Sequence, residues 1–143
     1  MKMSQRAEYA TRAILDLALN SSAKHGCQSQ EVARRTDVPK KFLDAILLDM
    51  RKAGLVASKR GRDGGHWLAR DPSRLSVTSV LEAIDGPLSV TEATGRPART
   101  PAEACLGLLW RKVDNAIRDV LDEVTIEALR QQATTDCTLD FNI

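Results

Sequence analysis

The sequence predicts a mainly α-helical protein with a small β-hairpin, organised as a winged helix-turn-helix followed by a long dimerisation helix. Three observations support this fold class. Three short helical segments precede a glycine-rich hairpin, apolar residues of a later segment repeat at heptad spacing, and aromatic residues are scarce. The 143 residues suffice for one domain with an appendage.

The helix-turn-helix part is predicted from apolar residues three or four positions apart. Residues 4–20 show this spacing, and a short helix capped by Ser29 follows. A third helix has Pro39 in its first turn, where the missing N–H costs nothing, and ends at Gly54. Its predicted buried residues are Phe42, Leu43, Ile46, Leu47 and Met50.

The pattern then changes to that of a hairpin. Residues 55–60 and 67–70 flank a turn that contains three glycines. Ser76 can cap a fourth helix, which stops before Gly86 and Pro87. Residues 88–101 are rich in Ser, Thr, Ala, Gly and Pro and are predicted to form a loop.

A long helix is predicted from Pro101, because its apolar residues alternate at intervals of four and three. So small a chain cannot bury such a stripe by itself, which predicts a homodimer. We expect a last short helix over 125–129 and a frayed end after it. The predicted domains are 1–86, the winged helix-turn-helix, and 87–143, a sensor loop, the dimerisation helix and a C-terminal tail. The predicted dimerisation residues are Leu106, Trp110, Val113, Ile117, Val120 and Val124.

Charge is distributed unevenly between the two parts. Residues 1–74 hold 15 Lys and Arg against 8 Asp and Glu, whereas residues 75–143 hold 6 against 11. A basic half indicates contact with a polyanion, although chance clustering on solvated faces gives the same asymmetry.

DNA binding is predicted from the order of these elements. The major groove admits one helix, a second helix braces it, and a basic hairpin can contact phosphates or enter the minor groove. The predicted DNA-binding residues of the third helix are Pro39, Lys40, Lys41, Asp44 and Ala45. Those of the hairpin are Lys59, Arg60, Arg62 and His66, the last reaching a phosphate. Each basic group alone is also typical of solvated surface, so the combination supports the prediction.

Several stretches together resemble one family of bacterial regulators. These are Glu8 to Ala10, Lys40 to Leu43, Arg51 to Val56, Arg60-Gly61 with Gly64-Gly65, Leu68 to Pro72, Ile84 to Leu88, Trp110 and Thr125-Ile126. The chain is similar to the IscR/NsrR/CymR-type family, also called the Rrf-two family, over nearly all of its length to about residue 130.

With this resemblance, the sequence predicts a cytoplasmic transcription regulator that binds a palindromic operator in double-stranded DNA as a homodimer. Repression is the expected role, but the sequence leaves repressor and activator open. The resemblance implies that residues 101–124 cross the partner and that Arg60 enters the minor groove. Lys41 and Ala45 differ from the polar residues common at these positions in the family, and Arg62-Asp63 replaces the usual Pro-Gly of the hairpin tip. The operator therefore cannot be taken over from the family.

The family's sensor site is altered in this sequence. Many members hold an iron–sulfur cluster with three cysteines in the loop and the start of the long helix. In this sequence, Cys105 is the only cysteine between Leu88 and Trp110. One thiol cannot supply the converging ligands that a cluster needs. We therefore expect no cofactor and no metal, and regulation by a small-molecule effector or by a thiol reaction at Cys105.

Three interpretations of Cys105 stay open: an inert buried side chain, a redox switch at a helix N-terminus, and a residual cluster ligand. The last would need unusual partners, such as Cys137 and a carboxylate from Glu8 across the dimer. Cys27 is interpreted as structural. His25 and His66 are too isolated in the sequence to suggest a metal site.

Other function classes receive little support. The sequence has no glycine-rich phosphate loop, no nucleophile motif and no histidine beside a carboxylate pair, so an enzyme is not expected. No apolar stretch is long enough to cross a bilayer, and three scattered cysteines favour a reducing compartment, the cytoplasm. The alternative from another class is a dimeric adaptor that does not bind DNA.

Overall fold

A computed structural model describes residues 2–92 and 95–136. The order of the elements confirms the predicted fold class, a mostly helical protein with one antiparallel hairpin. The elements are α1 (Gln5–Asn20), α2 (Ser29–Thr36), α3 (Lys40–Lys52), β1 (Val56–Lys59), β2 (Gly65–Leu68), a single 3₁₀ turn (Pro72–Arg74), α4 (Val77–Asp85), α5 (Pro101–Glu123) and α6 (Ile126–Asp136).

Helix α1 lies at the centre of the core and contacts α2, α3, α4 and α6. Its N-terminus is capped by Ser4, whose hydroxyl accepts a hydrogen bond from the Ala7 N–H at 3.0 Å. Small residues on its inner face let the neighbouring helices approach closely. The fully buried apolar residues of α1 are Ala7, Ala10, Ala13, Ile14 and Leu17.

Helix α3 follows the prediction with two differences. Pro39 is the N-cap residue and so precedes the first turn. The expected burial of Phe42 is wrong, because its side chain is 45% exposed. Leu43, Ile46, Leu47 and Met50 already complete the buried stripe at intervals of three, one and three, and Phe42 lies beside it rather than within it.

The hairpin is joined to the segment between α1 and α2 by backbone hydrogen bonds of its second strand. Lys59 pairs with Gly65 and Val56 with Leu68. Strand β2 also forms a short bridge to the segment between α1 and α2, since the N–H groups of Cys27 and His66 donate to each other's carbonyl at 2.9 and 2.8 Å. Gly65 has φ +115°, and an added Cβ would lie 2.7 Å from the Cys27 backbone, so this approach requires glycine.

Helix α5 contributes no buried residue to the core, and the chain returns to the core directly after it. The Val124 carbonyl accepts from the Val77 N–H at 3.1 Å, and the Ile126 N–H donates to the Leu75 carbonyl at 2.8 Å. Ile126 is fully buried in the same core as α1.

The predicted last helix over 125–129 was too short, because α6 continues to Asp136. Leu129 packs against the core, and the next turns are supported by Thr134, whose hydroxyl donates to the Arg130 carbonyl at 2.9 Å. Cys137 lies outside the described residues, and the domain boundary at residue 86 stays a prediction. Within the described ranges, no helix is sufficiently long and apolar to cross a membrane.

Candidate nucleic-acid interface

The outer face of α3 combines basic and apolar side chains. Lys41, Ala45, Leu48 and Lys52 follow one another at intervals of four, three and four, so they form one face, and all are exposed. The buried residues of the helix lie on the opposite side. The Lys40 ammonium and the Asp44 carboxylate form an ion pair of 2.9 Å on one edge of the exposed face. The predicted residues of this helix are therefore brought together on one accessible surface.

Two polar contacts hold α3 at its edges. Arg6 of α1 forms an ion pair with Asp49 on one side. On the other side, the Arg51 guanidinium donates to the Ser58 hydroxyl of β1 at 3.2 Å. These contacts orient the exposed face between α1 and the hairpin.

The hairpin turn extends beyond this surface and is basic. Lys59, Arg60 and Arg62 are all exposed, and no hydrogen bond or ion pair engages their side chains within residues 2–92 and 95–136. The turn itself is braced, because the Gln28 amide donates to the Gly61 carbonyl at 3.2 Å. Three free cations are thus presented on a supported loop.

His66 is placed differently from these cations. It is half-buried in β2, paired with Ser58 close to the turn, and its Nδ1 is buried without a hydrogen-bond partner within the described residues. Burial lowers the pKa of the imidazole, with Arg51 acting in the same direction and Asp44 against it. A phosphate contact by His66 would therefore have to come from Nε2 of a largely neutral ring.

A polar cluster beneath the hairpin was not found from the sequence. The Arg35 guanidinium makes two bonds of 2.9 Å to the Asp16 carboxylate, whose side chain is almost completely buried. Burial raises the pKa of the adjacent Cys27 thiol, while Arg35 opposes this shift. The Cys27 sulfur lies 3.4 Å from the Asn20 carbonyl oxygen. The cluster fastens α2 to α1 and agrees with a structural role for Cys27.

The dimerisation residues predicted on α5 are only partly covered. Leu106, Trp110 and Val120 are exposed, whereas Val113, Ile117 and Val124 are half-buried. Arg118 forms an ion pair with Glu82 of α4, which holds the other side of the helix. The heptad stripe thus remains an apolar surface of a single chain.

Cys105 lies in the second turn of α5 and is exposed. The interpretation of this residue as a buried side chain is therefore wrong for the single chain. Glu8, which was considered together with Cys137 as a further cluster ligand, forms an ion pair of 2.6 Å with Arg12. Within the ranges that the structure describes, no three His, Cys, Asp or Glu side chains are grouped so as to hold a metal ion. The described residues of one chain therefore do not fit an iron–sulfur cluster.

Comparison with known proteins identifies relatives over nearly the whole chain. The model of the Rrf2 family, described as an iron-dependent transcriptional regulator, matches residues 3–132. An rrf2-like helix-turn-helix transcriptional regulator of Rhodobacter capsulatus is 39% identical over 105 residues, which are 72% of this chain and 70% of the relative. The regulator IscR of Vibrio vulnificus is 33% identical over 130 residues, 90% of this chain and 77% of IscR.

A solved structure shows the same fold. CymR, the global cysteine regulator of B. subtilis, superimposes with a TM-score of 0.78 at 26% identity, covering 92% of this chain and 98% of CymR.

Proposed function

Since the chain belongs to the Rrf2 family of DNA-binding transcriptional regulators and not to an enzyme family, we propose that it represses transcription as a homodimer bound to a palindromic operator. One observation supports this most strongly. The exposed face of α3 and the free cations of the hairpin turn form one basic surface, which is what a major groove and its adjoining phosphates require. A regulator of this kind works beside the bacterial chromosome, in the cytoplasm.

We assign the roles within this surface from position and charge. Lys41, Asp44 and Ala45 face the base edges, where lysine can donate to guanine and aspartate can accept from cytosine. Arg60 at the start of the hairpin turn enters the minor groove, whose negative potential attracts arginine.

The remaining assigned residues position the protein on the DNA backbone. Lys40, Lys59 and Arg62 contact phosphates, and Pro39 sets the start of α3. His66 reaches a phosphate through its Nε2 atom.

The homodimer is supported by the heptad stripe of α5. Leu106, Trp110 and Val120 stay exposed in the single chain although they are large and apolar. A symmetric partner helix would cover this stripe and hold two copies of α3 at a fixed separation.

Sensing is proposed to occur without an iron–sulfur cluster, through a small ligand or a thiol reaction at Cys105. Both would act on the segment between α4 and α5, which connects the DNA-binding elements with the dimerisation helix. A signal can change the distance between the two copies of α3 in the dimer only if it binds or stabilises one of the two arrangements more than the other.

Selection of bound duplexes from a random pool, followed by mapping in the genome, tests DNA binding. We expect an inverted repeat with half-sites about one helical turn apart, or a multiple of it, and an affinity that falls steeply with salt. Binding without sequence preference would contradict the proposed operator, and absence of DNA binding would contradict the proposal and favour the adaptor.

Absorbance of the protein purified without oxygen tests the proposed absence of a cluster. We expect no absorption band at wavelengths longer than those of the protein band, and no stoichiometric iron or sulfide. A coloured protein with both elements would show that partner residues, or residues outside the described ranges, complete a site around Cys105.

A further inference from the structure

Leu48 lies on the face of α3 proposed to enter the major groove, about one helical turn after Ala45. It is 44% exposed. It lies seven residues after Lys41 and three after Ala45, so all three share one face of α3.

The spacing of this face matches that of known recognition helices. Homeodomain helices contact bases from positions i, i+3, i+4 and i+7. On α3, the same spacing selects Lys41, Asp44, Ala45 and Leu48, which are all exposed. The fourth position is therefore apolar in this protein and cannot form a hydrogen bond with any base.

An apolar side chain at this position has one complementary group in the major groove. The edges of the base pairs present donors and acceptors, and the C5 methyl group of thymine is the apolar feature among them. Ala45 lies one turn before Leu48 and is small, which leaves space for a methyl group to reach the leucine. The other large apolar residue exposed on α3, Phe42, lies about 100° around the helix from Lys41, and the Lys41 ammonium lies 4.9 Å from the centroid of its ring.

We propose that Leu48 reads a thymine in each operator half-site by contact with its C5 methyl group. This inference rests on the proposed function, because it requires α3 to enter the major groove. It adds an apolar contact that determines operator sequence to the polar base contacts proposed for Lys41 and Asp44.

Replacement of thymine by uracil removes the methyl group alone and leaves the hydrogen-bonding pattern intact. The operator selected by the wild-type protein is synthesised with each half-site thymine replaced in turn by uracil, and dissociation constants are measured at fixed salt. Burial of one methyl group corresponds to roughly a fourfold change in affinity. The expected change is therefore about 15-fold when the thymine is replaced in both half-sites. We expect an effect of this size at one thymine position.

The variant Leu48→Ala should bind the thymine operator about as weakly as wild type binds the uracil operator, and uracil should then have no further effect. Leu19→Ala is the matched control, because Leu19 is 42% exposed on another helix, α1. This control should behave as wild type on both duplexes. Thermal melting of both variants checks that they are folded.

Failure of this inference is distinguishable from failure of the proposed function. Without any sequence-specific binding by the wild-type protein, both are overturned. Specific binding in which every uracil replacement is silent, or a selected half-site without thymine, overturns the thymine contact alone. So does an effect of uracil that is the same in wild type and in Leu48→Ala.

Discussion

Replacement of Val120 by aspartate should dissociate the proposed dimer without unfolding the single chain. Val120 lies on the heptad stripe of α5 and is 63% exposed when the chain is alone. Because solvent already surrounds most of this side chain, a carboxylate there costs the isolated protomer little. In a symmetric dimer, the same position lies within the proposed interface in both copies.

The expected loss in the free energy of dimerisation follows from the exposed fraction of Val120. Full burial of a valine side chain contributes roughly 1.5–3 kcal/mol, so the exposed part of Val120 has about 1–2 kcal/mol still to gain. Both copies contribute, and the dimer loses roughly 2–4 kcal/mol, which raises its dissociation constant about 30- to 700-fold. Burial of two carboxylates adds to this loss, so these values are a lower bound.

Sedimentation velocity over a dilution series measures the dissociation constant, and circular dichroism checks the helix content. Leu108→Asp is the matched control. Leu108 is also 63% exposed and lies on the same helix, but two residues after Leu106 and therefore about 200° away from the stripe. It should dimerise as wild type does.

Two results would refute the reasoning. The first is a Val120→Asp protein that dimerises as tightly as wild type. The second is a Leu108→Asp protein that dissociates as readily as Val120→Asp, since the interface would then not follow the heptad stripe.

Four further predictions concern the DNA surface, the buried polar groups and the sensor. Arg60→Ala should weaken binding to the operator by about 1–3 kcal/mol. Lys59→Ala should weaken binding to all DNA sequences alike and flatten the salt dependence of binding. An operator affinity that Arg60→Ala leaves unchanged would contradict the placement of the hairpin in the minor groove. Asp16→Ala removes the nearly buried partner of a bidentate ion pair and should lower the free energy of unfolding in urea by about 2–4 kcal/mol, less than for a fully buried pair because the arginine is one-quarter exposed. Burial lowers the pKa of His66 in the folded protein below its usual 6.5. The contribution of the neutral imidazole to stability is therefore complete above pH 6.5 and is lost as the pH falls towards the folded-state pKa. The melting temperature of His66→Gln should depend less on pH between 7.5 and 5 than that of the wild type. If the thiol of Cys105 is the sensor, mild oxidant should change operator affinity in wild type and not in Cys105→Ser; a response that survives the substitution would exclude this cysteine.

The fold could be predicted where local sequence determines local structure. The hairpin was predicted from its glycines, and the structure shows that Gly65 is required by its close approach to Cys27. The burial predicted for Phe42 was wrong, because hydrophobicity does not distinguish the core face of a helix from a position beside it. The extent of α6 was underestimated since its last turns are polar and carry little periodicity.

The site could be predicted only in its basic part. Lys41 and Arg60 were predicted because a recognition helix and a wing have characteristic positions in the chain. Both are exposed in the structure, and their contacts with DNA stay a prediction. Asp16 and Arg35 are 19 residues apart, and no local pattern connects them. Leu48 gave a usable signal in its spacing from Lys41, but an apolar residue on a helix is ordinarily assigned to the core.

The backbone bonds that follow α5 have a mechanical consequence. The Val124 carbonyl accepts from the Val77 N–H and the Ile126 N–H donates to the Leu75 carbonyl, and Ile126 lies in the core that also holds α3. The C-terminal end of the long helix is thus a pivot that is fixed to the DNA-binding elements, whereas its N-terminal end is reached through the segment between α4 and α5. In the proposed dimer, a rearrangement of that segment that released the Arg118–Glu82 ion pair would let the helix turn about this pivot, and one copy of α3 would then rotate relative to the other.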